Sequence, residues 1–153
     1  MKLGAEWGKY TWIFFHCLAE KIKPDLFMKI KYKLIEWIKM ICYILPCPYC
    51  SEHATQLLER YKYYNKITTK DDFKNFLFTF HNMVNKKIDK KIPDISILKQ
   101  YESYNFRTAT ADWYNNFTVN QIDVKLSFDK TKRNQTRNHV LNQITEWINY
   151  FNI

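Results

Sequence analysis

Apolar side chains recur at helical spacing along most of this chain. Residues 7–22 form an aromatic-rich helical segment that Lys23-Pro24 ends, since the residue before a proline is pushed out of the α region. Asp25 is the expected N-cap of a second helix reaching about residue 45. Its Leu26, Phe27, Ile30, Leu34, Ile38, Ile41 and Leu45 keep one face apolar, and Pro46 stops it. A third helix is expected from Cys47 to about residue 64, with Pro48 in the first turn, where its missing N–H costs nothing. Thr69 and Asp72 read as a capping box opening a fourth helix with the stripe Phe73, Phe76, Leu77, Phe80, Val84 and Ile88. Pro93 and Asp94 open a short fifth helix that ends near Tyr104. Residues 105–118 then read as polar, aromatic and irregular. Ile122, Val124, Leu126 and Phe128 alternate with Asp123, Lys125 and Ser127, a strand pattern. Residues 131–152 place Val140, Ile144, Trp147, Ile148 and Phe151 on one helical face. The pattern therefore predicts an all-α unit over residues 1–104. An extension over residues 105–153 would add a strand and an amphipathic helix.

Composition narrows the class. A chain of 153 residues that is 46% hydrophobic and 18% aromatic buries a core and is not disordered. Gly 2 and Pro 4 argue against a turn-rich β-sandwich. No uncharged apolar run approaches the ~18 residues of a membrane span. Residues 12–19 are interrupted by His16 and lack a cleavage site, so they are not read as a signal peptide. The net charge of +9 favours acidic partners, anionic cofactors or nucleic acid without choosing among them. Its excess sits in residues 61–100, with nine basic and four acidic groups. Arg133, Arg137 and His139 are expected at the surface.

Four cysteines are too few for a disulfide framework, but two form Cys47-Pro48-Tyr49-Cys50. Three readings compete. At the mouth of a helix, Cys47 would feel the positive end of the dipole, and Cys50 would lie one turn on, able to close a disulfide with it. Alternatively Cys42, Cys47, Cys50 and His53 supply four zinc donors, which would make a non-enzymatic zinc-bound basic interaction module. The bland alternative is a pair of buried thiols behaving as small hydrophobes. A glutaredoxin-like fold needs a strand before this motif, and a long helix precedes it here. Cys17 and Cys42 lie within predicted helices and are read as buried apolar residues.

Two segments flank the CxxC. Upstream, Gly8, Trp12 and His16 are spaced four apart on one helical face. Downstream, His81, Asn82, Val84 and Asn85 are followed by Lys90. A flat aromatic, imidazoles, an amide and lysines suit a planar, anionic dinucleotide. Lys86, Lys87, Lys90 and Lys91 would ordinarily be a solvated face, with one or two available to a pyrophosphate.

In this order, W-x3-H, CxxC-x2-H and HNxVN resemble the Erv/ALR family of FAD-linked sulfhydryl oxidases over residues 4–104. The compact form resembles those of large DNA viruses. The resemblance implies a four-helix bundle with a short fifth helix binding FAD, and a homodimer through the first two helices. It assigns Cys47 and Cys50 as the active-site pair. Gly8, Trp12, His16, His53, His81, Asn82, Val84, Asn85 and Lys90 become the FAD contacts, with Tyr101 near the adenine side. Reduced thiol-containing proteins would be the substrates and molecular oxygen the final acceptor, yielding hydrogen peroxide. The compartment would be host cytoplasm or virion, or the mitochondrial intermembrane space. No shuttle pair and no C-terminal structural disulfide are visible, so direct oxidation of a partner protein is expected, without metal, nucleic acid or membrane span.

Overall fold

The structure, a computed structural model, describes residues 5–118 and 124–153. Among the described residues, six α-helices follow in order: α1 Ala5–Lys21, α2 Phe27–Tyr43, α3 Pro48–Arg60, α4 Lys70–Lys87, α5 Phe106–Asn116 and α6 Val124–Glu146. A 3₁₀ helix, Ile95–Ser103, joins α4 to α5. The all-α class predicted from the pattern is the class observed, and no helix is long and apolar enough to cross a membrane among the described residues.

Local chemistry explains most of the boundaries. The box at α4 is reciprocal: Asp72 N–H donates to Thr69 Oγ1 and Thr69 N–H to Asp72 Oδ2, both at 3.1 Å. Asp94 caps the 3₁₀ helix by accepting from Ser96 N–H at 3.0 Å. The short fifth helix stands where expected, as the 3₁₀ helix capped by Asp94. Three features depart from expectation. Asp25 lies inside a 3₁₀ turn, Pro24–Leu26, and Leu26 is the N-cap of α2. Residues 105–118, read as irregular, form α5, started by Asn105 Oδ1 accepting from Thr108 N–H at 3.0 Å.

The third correction is the strand. Residues 124–128 begin α6, while residues 119–123 of that reading lie outside the described residues. A strand needs a partner for its ladder groups, and the described residues offer none beyond the isolated bridge of Ile22 with Phe151. A helix satisfies the same backbone from within.

The described part of residues 105–153 packs on its own bundle. Trp113 stacks on Phe14 at 4.6 Å between centroids, and Phe106 on Phe151 at 4.4 Å. Phe106, Trp113, Phe117, Val140, Ile144 and Phe151 belong to the same buried core as Leu18, Leu34 and Leu77. Arg133, expected at the surface, is 2% exposed, and its Nε donates to the Ile44 carbonyl at 3.1 Å. That bond satisfies a carbonyl left over at the end of α2.

Candidate active site

The turn between α2 and α3 sets the CxxC in place. The last carbonyls of α2 have no partners within the helix. Ser51 Oγ lies 2.7 Å from both the Cys42 and Tyr43 carbonyls, and Arg133 satisfies Ile44. Cys47 is extended (φ −119°, ψ 109°) and is the N-cap of α3, with Cys50 N–H donating to its Sγ at 3.2 Å. The sulfurs of Cys47 and Cys50 are joined, with Cα atoms 5.2 Å apart. The zinc reading needs both as thiolates, and this bond removes them from its donor set.

Beside the disulfide opens a cavity of about 560 Å³. Gly8 and Trp12 of α1, Cys50 and His53 of α3, and His81 and Val84 of α4 line it. Cys50 belongs to this wall and Cys47 does not. Lys90 reaches it because α4 ends in a paired reversal. Asp89, at φ 57°, is left-handed. Asp89 N–H donates to the Lys86 carbonyl at 3.3 Å, and Lys90 N–H donates to the Asn85 carbonyl at 2.8 Å. This is the Schellman pattern, with aspartate in the place glycine usually takes.

An aromatic stack backs the cavity. Trp12 and His81 lie face to face, 3.8 Å apart and 8° from parallel. His81 Nδ1 and His16 Nε2 are 2.9 Å apart, one donating and one accepting, and Tyr101 stacks on the far face of the pair against His16. Burial, reinforced by His81, pushes His16 down to about 3. Burial, with Lys90 nearby, pushes His81 down to about 4. Both imidazoles therefore stay neutral where unfolded histidine, near 6.5, would charge. Below that value the unfolded chain binds protons that the folded chain refuses, so stability falls as pH falls. The expected loss between pH 6.5 and 4.5 is about 1.4 kcal/mol per pH unit for each imidazole. Urea midpoints across that window check it, and a flat profile contradicts the buried pair.

The walls suit a flavin dinucleotide on three observations. Trp7 lines the cavity, and its buried Nε1 finds no acceptor among the described residues, which leaves a donor beside the space for an occupant. A Cβ at Gly8 would meet no atom within 4 Å, so glycine there leaves room in the cavity. Lys9 and Lys90 bring positive charge to a mostly aromatic and apolar wall, as a pyrophosphate requires.

Of the residues assigned from sequence, Gly8, Trp12, Cys50, His53, His81, Val84 and Lys90 share this cavity, as does Tyr101. His16 stands behind His81. Asn85 is buried beside Asn82, with their side chains 3.5 Å apart, and neither is in the wall. Sequence reasoning missed Trp7, Tyr49 and Phe80. Tyr49 lies four residues before His53 on the same helix face, so periodicity would have found it, whereas Trp7, five residues before Trp12, is off that face and carried no such signal. Cys42 also touches the cavity, with burial pushing its thiol well above the usual range, and burial pushes Cys17 up to about 12. Both are inert as nucleophiles in this state.

Comparison with known proteins gives one consistent result. Residues 9–108 match the Erv1 / Alr family. An FAD-linked sulfhydryl oxidase of African swine fever virus is 36% identical over 88 residues, covering 56% of this chain and 71% of the viral protein. FAD-linked sulfhydryl oxidase ERV2 of Saccharomyces cerevisiae is 28% identical over 102 residues, covering 66% of this chain and 51% of the yeast protein. No solved structure matches.

Proposed function

This chain belongs to the Erv1 / Alr family and is an FAD-linked sulfhydryl oxidase, and from that premise we propose how its residues carry electrons from protein thiols to oxygen. One observation carries the proposal: of the two joined sulfurs, Cys50 is in the wall of the aromatic cavity and Cys47 is outside it. Cys47 is the sulfur that a substrate thiolate attacks. A substrate–Cys47 bond forms, the Cys47–Cys50 bond breaks, and Cys50 leaves with the electron pair as a thiolate at the cavity wall. A second substrate thiolate attacks the substrate sulfur of the mixed disulfide. It releases oxidised substrate and leaves Cys47 as a thiolate, held at the N-terminus of α3 by the Cys50 N–H and the helix dipole.

Gly8, Trp12, His81, Val84 and Lys90 hold FAD, and His16, Asn82 and Asn85 support that wall from behind. When bound, FAD supplies the two-electron acceptor for re-forming the Cys47–Cys50 bond and passes the pair to oxygen, giving hydrogen peroxide. His53 follows Cys50 by one turn, and burial first, then Lys87 and Arg60, lowers its pKa, so it stays neutral and able to take a proton near that sulfur. The protein acts as a homodimer in this reading. Of the two helices expected to meet a mate, α1 is covered by α5, whereas α2 leaves Met28 (54%) and Tyr32 (66%) exposed one turn apart. The reduced thiol-containing substrates are proteins, and residues 1–104 form the FAD-binding unit to which residues 105–153 are added.

The test is direct. Purified protein is expected to be yellow, carrying about one flavin per chain, and to consume oxygen with dithiothreitol while producing peroxide in equal amount. A colourless protein holding zinc overturns the proposal.

A further inference from the structure

The 3₁₀ helix Ile95–Ser103 gives the flavin cavity one residue, Tyr101, which is also the one residue that this helix buries. A 3₁₀ run of nine residues is long for its type, and its hydrogen-bond geometry is poorer than that of an α-helix. One buried side chain on such a run is a weak hold, so the place of Tyr101 in the wall depends on bonds from outside. The next residue receives one. Lys21, the last residue of α1, donates from Nζ to the Glu102 carbonyl at 2.9 Å. We propose that Lys21 is a positioning residue of the cofactor site, holding Tyr101 against His16 and closing that end of the wall on FAD; the proposal rests on the FAD-binding reading above.

The state of Lys21 needs such a role. It is 8% exposed, and an ammonium leaves water only where another group replaces the water. It enters no ion pair among the described residues, and the neighbouring Glu20 is paired with Lys74 at 2.7 Å. Its partner is instead a main-chain carbonyl in the last turn of the 3₁₀ helix. Carbonyls there run out of donors within the helix, and a cation is favoured.

What Tyr101 supports is equally plain. Its ring lies 4.7 Å from that of His16 and 19° from parallel. His16 is bonded to His81 at 2.9 Å, and His81 stacks on Trp12 at 3.8 Å. Tyr101, His81 and Trp12 are all in the cavity wall, so a shift of Tyr101 bares His16 and opens one end of the run.

Lys21 is itself fixed by the end of the chain. Its carbonyl accepts from Asn152 N–H at 2.6 Å, Ile22 bridges Phe151, and Lys23 N–H donates to the Tyr150 carbonyl at 2.8 Å. Residues 150–152, outside the family match of 9–108, thus set the backbone of Lys21, and Lys21 sets Tyr101.

The experiment follows release of FAD from the flavin-loaded protein by rapid filtration, at a temperature well below the melting midpoint of every variant. Lys21→Met keeps the length of the side chain and loses the donor. It is expected to speed release about tenfold, the size expected for one hydrogen bond from a charged group. Lys21→Arg returns a donor and stays within about twofold of wild type. Tyr101→Ala speeds release at least as much as Lys21→Met, and adding Lys21→Met to Tyr101→Ala changes nothing further, because the lysine acts through that ring. Lys21→Gln, shorter by one bond, replaces Lys21→Met if the latter does not fold. Release at the wild-type rate in Lys21→Met overturns the proposal. So do single effects that add in the double variant, or a Lys21→Arg protein as leaky as Lys21→Met, since the lysine would then support the fold and not the ring. Wild-type protein that is purified without flavin and takes none up overturns the FAD reading, a separate failure that removes this role with it.

Discussion

Cys50→Ser protein remains yellow and stops consuming oxygen with dithiothreitol, with a loss in kcat on the order of 10³ or more. Serine matches cysteine in shape, and the other cavity residues, Trp12, His81, Val84 and Lys90, are untouched, so flavin is retained. A hydroxyl cannot form the bond to Cys47 Sγ, and no route remains from the outer sulfur to the cavity. Cys42, which also touches the cavity, does not substitute. Its thiol is 2% exposed and held protonated by burial, and it sits behind the turn rather than at a helix mouth. Flavin absorbance and an oxygen electrode read the two halves of this expectation separately. Turnover near the wild-type value would remove Cys50 from the electron path.

How much of this was legible from sequence depends on whether the signal was local. The box Thr69–Asp72, Pro48 in the first turn of α3 and the stripe along α4 are interactions between near neighbours in the chain, and they appear where expected. The same holds for the cavity, since Gly8, Trp12, Cys50, His53, His81 and Val84 sit at helical spacings that leave little choice of face. Asn85 is buried and outside the wall that its neighbour Val84 lines, a difference of one residue that spacing alone does not resolve.

Residues 105–118 were misread for a different reason. Phe106, Ala109, Trp113 and Phe117 do recur at helical spacing and are all buried, but threonines and asparagines between them favour turns in isolation. Their helix is secured by α1, packed against them from far away in sequence. The strand pattern failed similarly, because alternation describes one strand and says nothing about whether another is present to pair with it. Buried Arg133 bonds the Ile44 carbonyl, 89 residues earlier, and no window on the sequence contains both.

That distant packing gives the last expectation its size. Trp113→Ala should destabilise the protein by about 3–5 kcal/mol. The indole is fully buried, stacks on Phe14 at 12° from parallel and touches Phe117 as well. Removing it leaves a cavity between α1 and α5 that neither rigid helix can close. Against a total stability of about 5–15 kcal/mol, this is a large share, and a melting midpoint lower by roughly 10 °C follows for a chain of this size. The effect reaches the site through α1, which presents Phe14 to Trp113 on one side and Trp12 to His81 on another. A slack α1 should therefore loosen the flavin wall, so the variant is expected to release flavin at lower temperature than it unfolds. A midpoint within about 1 °C of wild type would instead mean that the extension rests on the bundle without bracing it.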